Sequence, residues 1–476
     1  MGKYFFGKLS GSILFCLLVS PFFSLLAQNS VASRIDSLLS RPFFDTTSVS
    51  VSVYNLTKGR ETYSFRNKLL FRPASNMKIL TTTAALYFLG GDYSFNTSFY
   101  RDGAVEDSVL KGNLFVVGHG DPDFSTEDLD TIVMKISAAG IKRIEGNLYG
   151  DVTYTDSIFW GHGWMWDDDP STDSPYLTAL NINSNSVLVT MQPGAPGEAL
   201  TVSTTPATGF FSIRNSAVTA QDTPYTFKWD RNWLARTNEL IFTGRYPAAS
   251  GIRRSEINVY NPAMYFLTLL GEKLNKAGIG FSGDISLKKL AGSPELLAEK
   301  NRRYSEVIIN LNKTSDNLSA EMTLRAMAAK FFGQPALPEN GIVMTDSLLT
   351  LAGLNKDNYR IVDGSGVSHY NLVSSELFMN VLKFIYYARP EKFSLLYDSF
   401  PVAGVDGTLR GRMKGTKAYN NVHAKTGTLS GVSSLSGYVR NSAGELQAFS
   451  IMMQGYIGSS RKATEWQDRI CAILAE

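Results

Sequence analysis

RPASNMKILTTTAALYFLGG, residues 72–91, places a serine and a lysine three apart at the head of an apolar helix that two glycines close. An ammonium buried in such a helix is costly unless it is paired or gives up its proton. Ser75 and Lys78 stand at i and i+3, so they share a helix face and the amine can reach the hydroxyl. The N–H groups at the helix start would favour negative charge developing beside the serine. The competing reading is a serine at a helix start and a lysine snorkelling past a core helix. Spacing alone does not choose, because Ser108/Lys111, Ser286/Lys289 and Ser459/Lys462 repeat it. Context does: of the four pairs, only Ser75/Lys78 heads a long apolar helix.

Two further short motifs lie far downstream. Ser315–Asn317 sits in NKTSDNLSAEM, a polar turn entering a helix, where serine and asparagine also serve as ordinary caps. Lys425–Gly427 joins the strand piece NVHA to the run TLSGVSSLSGYV. A glycine within a strand marks close approach by a ligand or another backbone. A lysine on that edge would attract an anion, and the neighbouring Thr426 hydroxyl would orient it. His423 falls on the same strand face as Lys425 and reads as packing. His119 and His162 each sit in Gly-His-Gly near Asp121, Asp123 and Asp167, with no zinc-like spacing. Neither a metal nor a cofactor is expected.

The chain of 476 residues is 44% apolar and 19% charged, enough for two or more cores. Residues 1–27 follow the export pattern: Lys3 and Lys8, the run SILFCLLVSPFFSLLA, then a polar restart at Gln28. Cleavage near Ala27 is expected, giving an exported, periplasmic protein with no stable membrane anchor. Loss of those two lysines lowers the formal charge of +3 to about +1. Such a balance offers no field for nucleic acid. Cys16 leaves with the leader, so Cys471 remains alone and the fold depends on its core rather than on a disulfide.

The alternation in VSVSVYNLTKGRETYSF predicts two strands around a Lys58-Gly59 turn. From about residue 93 to 290, short strand-like runs alternate with Gly, Asp, Pro and Asn turns, with helical patterning at NPAMYFLTLLGEKLNKAG. Helices then dominate from LSAEMTLRAMAAKFFG through SSELFMNVLKFIYYARP. Two or three strands with a turn at Asn441–Gly444 and a final helix, SSRKATEWQDRICAILAE, close the chain. The layout is leader 1–27, an N-terminal piece 28–92, a β-rich insertion 93–290 expected to form two sub-domains, and a C-terminal piece 291–476.

The three motifs, in this order on helix, loop and strand, resemble the set carried by β-lactamases and penicillin-binding proteins. About 240 residues separate the first two. With RPASNMKILTTTAAL, GHGDPDF, GWMWDDDPSTDSPYLTALNINSN, VDGSGVSHYN and PVAGVDGTLRGRMKGTKAYNNVHAKTGTLSG, the chain is similar to the low-molecular-mass penicillin-binding protein family of D-alanyl-D-alanine carboxypeptidases/endopeptidases. His119 and His369 stand where that family more often has glycine and arginine.

The resemblance implies an α+β, β-lactamase-like transpeptidase domain, with an antiparallel sheet flanked by helices and a β-rich inserted region. It implies peptidoglycan stem peptides as substrate and β-lactams as covalent inhibitors. Ser75 would be the nucleophile, Lys78 its base, and Ser315 the proton donor to the leaving group. Asn317 would bond Lys78 and the substrate. Lys425 and Thr426 would hold the terminal carboxylate, Gly427 would line the substrate site beside them, and Ser75 and Thr428 would supply oxyanion N–H groups. Asp168 would meet the ammonium of a diamino acid. The alternatives are a serine β-lactamase of the same superfamily and a catalytically silent peptidoglycan-binding scaffold.

Overall fold

A computed structural model describes residues 30–221 and 225–476. The leader read at residues 1–27, with Cys16, lies outside the described residues. A central antiparallel sheet joins the two ends of the chain. Its order is Arg60–Phe65, Ser48–Asn55, Leu446–Gln454, Val432–Arg440, His423–Leu429. Gly59, at φ 66°, makes the tight turn between the first two strands. The Asn441–Gly444 turn joins two others, as the sequence predicts.

The pleat of this sheet explains its serine-rich pattern. Val49, Val51 and Val53 point to one face with Leu435, Phe449, Ile451 and Met453. There the helices Val31–Leu39 and Arg461–Leu474 cover them through Ile35, Ile470 and Leu474. Ser50 and Ser52 face the other way, and both bond the Ser375 hydroxyl, at 2.6 and 2.9 Å. Both faces are therefore buried, and small polar residues let the helix Ser375–Ala388 come close. The architecture is a helix–sheet–helix sandwich of α+β class. Cys471 is buried in the first of these layers.

The inserted region carries its own core, centred on Phe99, Phe124, Phe266 and Leu270. Its largest sheet runs Ile285–Leu287, Leu148–Asp151, Leu114–Gly118, Ser94–Arg101, Glu295–Arg303. The last strand pairs with Ser94–Arg101, so this sheet continues past residue 290. Among the described residues, two α-helices belong to the region. Pro262–Lys276 matches the NPAMYF pattern. Thr126–Ala138 is a helix that the strand-like reading passes over; Ser125 and Asp128 close a capping box at its start. Smaller sheets follow, including Ser212–Asn215, Glu239–Thr243 and Lys228–Arg231. Among the described residues no helix is long and apolar enough to cross a membrane.

Candidate active site

The helix Met77–Phe88 is buried from Met77 to Leu86 and packs against Asn317–Phe332 and Ser375–Ala388. Its lack of a charged residue after Lys78 suits a helix enclosed by a core, and Gly90 ends it in the left-handed region at φ 81°. A single 3₁₀ turn, Ala74–Asn76, precedes it. Ala74 itself has φ 49°, a strained setting for a residue with a Cβ. Two bonds tie this turn to the central sheet: Ser434 Oγ to the Pro73 carbonyl (2.6 Å) and Asn76 Nδ2 to Ser436 Oγ (2.7 Å).

Lys78 is fully buried. Its Nζ lies 3.0 Å from Ser75 Oγ and 2.8 Å from the Ser365 carbonyl, and it also bonds Asn317 Oδ1. Three acceptors around one nitrogen satisfy an ammonium. A neutral amine would keep two of those bonds and turn its lone pair to the serine hydroxyl. Burial pushes the amine down to about 8, against the pull of Asp316, Asp363, Glu321 and Asp173. The lowering comes from burial rather than from the positive charge of Lys425. The coupling of the two lysines acts on Lys425, which burial and then Lys78 hold well below the ordinary lysine value.

The Ser315–Asn317 turn divides its labour. Asp316 caps the helix Asn317–Phe332 by accepting from Ser319 N, so neither neighbour is needed as a cap. Ser315, at φ 68°, turns its hydroxyl to Lys425 Nζ at 2.9 Å. Asn317 accepts from Lys78 and donates through Nδ2 to the Asp173 carbonyl. One Nδ2 hydrogen remains for a ligand.

Lys425 lies beneath the cleft rather than on its surface: it is fully buried and donates to Ser315 Oγ and to the Thr426 carbonyl, the latter at 2.9 Å. Thr426, Gly427 and Thr428 line the cleft above it. The Thr426 hydroxyl bonds that of Thr408 at 2.7 Å. Gly427 is required by packing. A Cβ there would lie 2.3 Å from Ser434 Oγ and 2.8 and 2.9 Å from Pro73 O and Asn76 N. The close approach read from the sequence is thus to the serine turn.

These elements enclose a cleft of about 460 Å³, lined by Ser75, Ser315, Asn317, Thr426, Thr428 and Asp168, among others. Asp168 sits in the 3₁₀ turn Trp166–Asp168 and accepts from Met165 N at 2.8 Å. Partial burial raises its carboxyl above the usual range. Two of the histidines are packing groups: His423 stacks on Tyr397 at 4.0 Å, and His119 meets Tyr154 edge-on at 5.3 Å.

One part of the site has no motif. Glu321 Oε1 accepts from the backbone N–H groups of Gly364 and Ser365, at 3.0 and 2.9 Å, and Thr81 Oγ1 bonds the Gly364 carbonyl at 2.6 Å. Asp363 accepts from Gly366 N, Ser368 N, Asn371 Nδ2 and Trp164 Nε1. Together they aim the Ser365 carbonyl at Lys78. Glu321 is the glutamate beside Lys78, and its carboxylate is taken up by this loop and by Arg325. In sequence, the only sign of the loop is the glycine pair in VDGSGVSHYN.

The amine value near 8 sets a pH expectation. A base must be neutral, so with Lys78 in the expected role, protonation below about pH 8 would lower acylation of Ser75 about tenfold per unit. Above that point the rate levels off. Rapid-mixing measurement of acylation by a β-lactam between about pH 6 and pH 9 tests this; a flat profile removes the base role.

The D-Ala-D-Ala carboxypeptidase 3 (S13) family matches residues 31–476. A D-alanyl-D-alanine carboxypeptidase of Actinomadura sp. (strain R39) is 34% identical over 93% of this chain and 84% of its own length. D-alanyl-D-alanine carboxypeptidase DacB of Haemophilus influenzae is 28% identical over 84% of both chains. The crystal structure of penicillin binding protein 4 (dacB) from Haemophilus influenzae superposes with a TM-score of 0.81 at 27% identity. That match covers 92% of this chain and 97% of the other. The same protein complexed with a β-lactam gives 0.76 at 25% identity, over 93% and 99%.

Proposed function

The chain belongs to the D-Ala-D-Ala carboxypeptidase 3 (S13) family, and we propose that it hydrolyses the terminal D-alanyl-D-alanine bond of peptidoglycan stem peptides through an acyl-enzyme on Ser75. The observation that carries this reading is one nitrogen, Lys78 Nζ, set between Ser75 Oγ and Asn317 Oδ1 at the floor of a single cleft.

Ser75 Oγ attacks the carbonyl of the scissile bond while its proton passes to neutral Lys78. The backbone N–H groups of Ser75 and Thr428 receive the oxyanion, each donor being worth about 3 kcal/mol. Ser315, held by Lys425, delivers a proton to the departing D-alanine nitrogen and is recharged with the proton that Lys78 took from Ser75, which returns Lys78 to the neutral amine. Asn317 spans Lys78 and the substrate's amide. Water then attacks the ester, with Lys78 taking its proton and passing it to the Ser75 oxygen as the ester bond breaks, so that the hydroxyl is regenerated. The free carboxylate of the terminal residue meets the Thr426 and Thr408 hydroxyls, with the Lys425 amine beneath. Asp168, on the cleft wall, faces the ammonium of a stem-peptide diamino acid. When the cleaved bond lies in a cross-link, the same site acts as an endopeptidase.

Residues 1–27 direct export to the periplasm, where this substrate lies. The near-neutral mature charge fits a protein that binds neither nucleic acid nor a membrane surface.

The test is D-alanine release from a synthetic stem pentapeptide with a free or an amidated C-terminus. Amidation lowers kcat/KM about 10- to 100-fold, the worth of one or two charge-assisted hydrogen bonds. Equal rates on the two peptides contradict the carboxylate assignment. Absence of D-alanine release contradicts the function.

A further inference from the structure

An aromatic pocket of about 310 Å³ opens on the far side of the turn that carries Asp168. The turn Trp166–Asp168 is a shared wall: Asp168 lines the catalytic cleft, whereas Trp166 lines this pocket and Asp169 stands at its base. Trp233 and Leu234 close the other side. They come from the loop between the strands Lys228–Arg231 and Glu239–Thr243 of the inserted region. The pocket is thus built from the inserted region, which meets the catalytic cleft through the turn that carries Asp168.

Its rings face solvent to an unusual degree. Trp166 is 71% exposed and Leu234 74%. The Trp166 and Trp233 rings pack on each other, 5.3 Å apart at 37°, and together form an aromatic wall of the concavity. Large apolar side chains gathered in a concavity mark a binding site, whereas scattered single ones do not. The base is rigid. Buried Asp169 accepts from Arg231 Nη2 and from the Tyr176 hydroxyl at 2.8 Å, and Phe159 stacks on Tyr176. Arg236 lies over the Phe159 ring at the rim. Asp169 is buried and already paired with Arg231, and Arg236 is drawn over the Phe159 ring, so the lining offers no cluster of one sign for a strongly charged ligand.

We infer that this pocket binds a neutral N-acetylhexosamine ring of the glycan strand that bears the stem peptide. The proposal rests on the function given above and extends it. A pyranose presents an apolar C–H face, which suits an indole, and a hydroxylated edge, which suits a wet rim. A stem peptide seated against Asp168 places the sugar to which it is joined along the same wall. The insertion then contributes to the reaction by orienting the glycopeptide.

The experiment uses the full chain and its Trp233→Ala variant, a change outside the catalytic cleft. Chitotriose, a trimer of N-acetylglucosamine, is titrated against tryptophan fluorescence. In parallel, kcat/KM is measured for a stem pentapeptide alone and for the same peptide on its disaccharide. The wild type is expected to bind chitotriose saturably and to prefer the disaccharide peptide by about tenfold, the scale of one well-packed aromatic contact. Trp233→Ala abolishes both effects and leaves hydrolysis of the bare peptide unchanged.

The inference is overturned if wild type shows no saturable binding, or if the variant keeps binding and preference. It is equally overturned if the variant slows the bare peptide as much as the glycopeptide, which would mean a structural role. A loss confined to a sugar-free cross-linked peptide would assign the pocket to a second stem peptide instead. Failure of wild type to cleave even the bare peptide contradicts the function, independently of chitotriose binding.

Discussion

Alanine in place of Ser75, or in place of Lys78, is expected to lower D-alanine release at least ~10³-fold while leaving the protein folded. The two changes act on one unit. Without the hydroxyl there is nothing to acylate, and without the amine the hydroxyl keeps its proton. Because the residues act together, the double variant is expected to be no worse than either single one. Stability should hold, since Lys78 is an ammonium-forming group placed where water cannot reach it, which is intrinsically unfavourable. Its loss leaves Asn317 Oδ1 and the Ser365 carbonyl short of a donor, a smaller penalty that water entering from the cleft relieves. D-alanine release followed against a thermal unfolding curve measures both halves. A Lys78→Ala enzyme acylating at the wild-type rate would remove the base role and leave Ser75 in place.

The second large effect is structural and arises at Gly366. Its φ is 88°, and a Cβ there would lie 1.9 Å from the Ala74 carbonyl oxygen and 3.0 Å from Met77 Cβ. Gly366→Ala therefore meets both backbone strain and the serine turn, costing about 2–4 kcal/mol. Relief of the clash moves the loop that carries the Ser365 carbonyl away from Lys78, so acylation falls as well. Gly353 supplies the control. Its φ is 80° with open space around it, so Gly353→Ala pays only for strain, about 1 kcal/mol, and keeps the wild-type acylation rate. Urea unfolding and acylation rates of the two variants check the contrast. Equal behaviour would mean that the fit between Gly366 and Ala74 is unimportant.

The central sheet and the site differ in how far the sequence exposes them. The valine–serine alternation at 49–53 shows two faces, and the structure buries both, because Ser50 and Ser52 are small enough for Ser375 to pack against them. The buried helix from Met77 is legible because no charge follows Lys78 in a run of apolar and threonine residues, and from its terminal glycines. Thr126–Ala138 is harder to see, because its acidic first turn and four buried positions resemble a polar loop until the capping box is noticed. Glu295–Arg303 is mostly charged, and its strand character comes from pairing with Ser94–Arg101 rather than from its own residues.

In the site, order and spacing bring out Ser75, Lys78, Ser315, Asn317 and Lys425–Gly427, since each motif is local. What stayed hidden is non-local. Nothing near Glu321 or Asp363 in sequence says that their carboxylates organise a loop whose carbonyl holds Lys78. That Lys425 sits under the cleft instead of on it depends on which residues close over it. Trp233 likewise gains meaning only when the insertion brings it against Trp166.

Intact-protein mass spectrometry after exposure to penicillin, followed by peptide mapping, tests the central claim most directly. A single penicilloyl adduct is expected on the peptide containing Ser75, persisting long enough to be seen, and absent from Ser75→Ala. No adduct on the wild type, an adduct mapped to another residue, or an adduct retained by Ser75→Ala would contradict the assignment of Ser75 as the nucleophile.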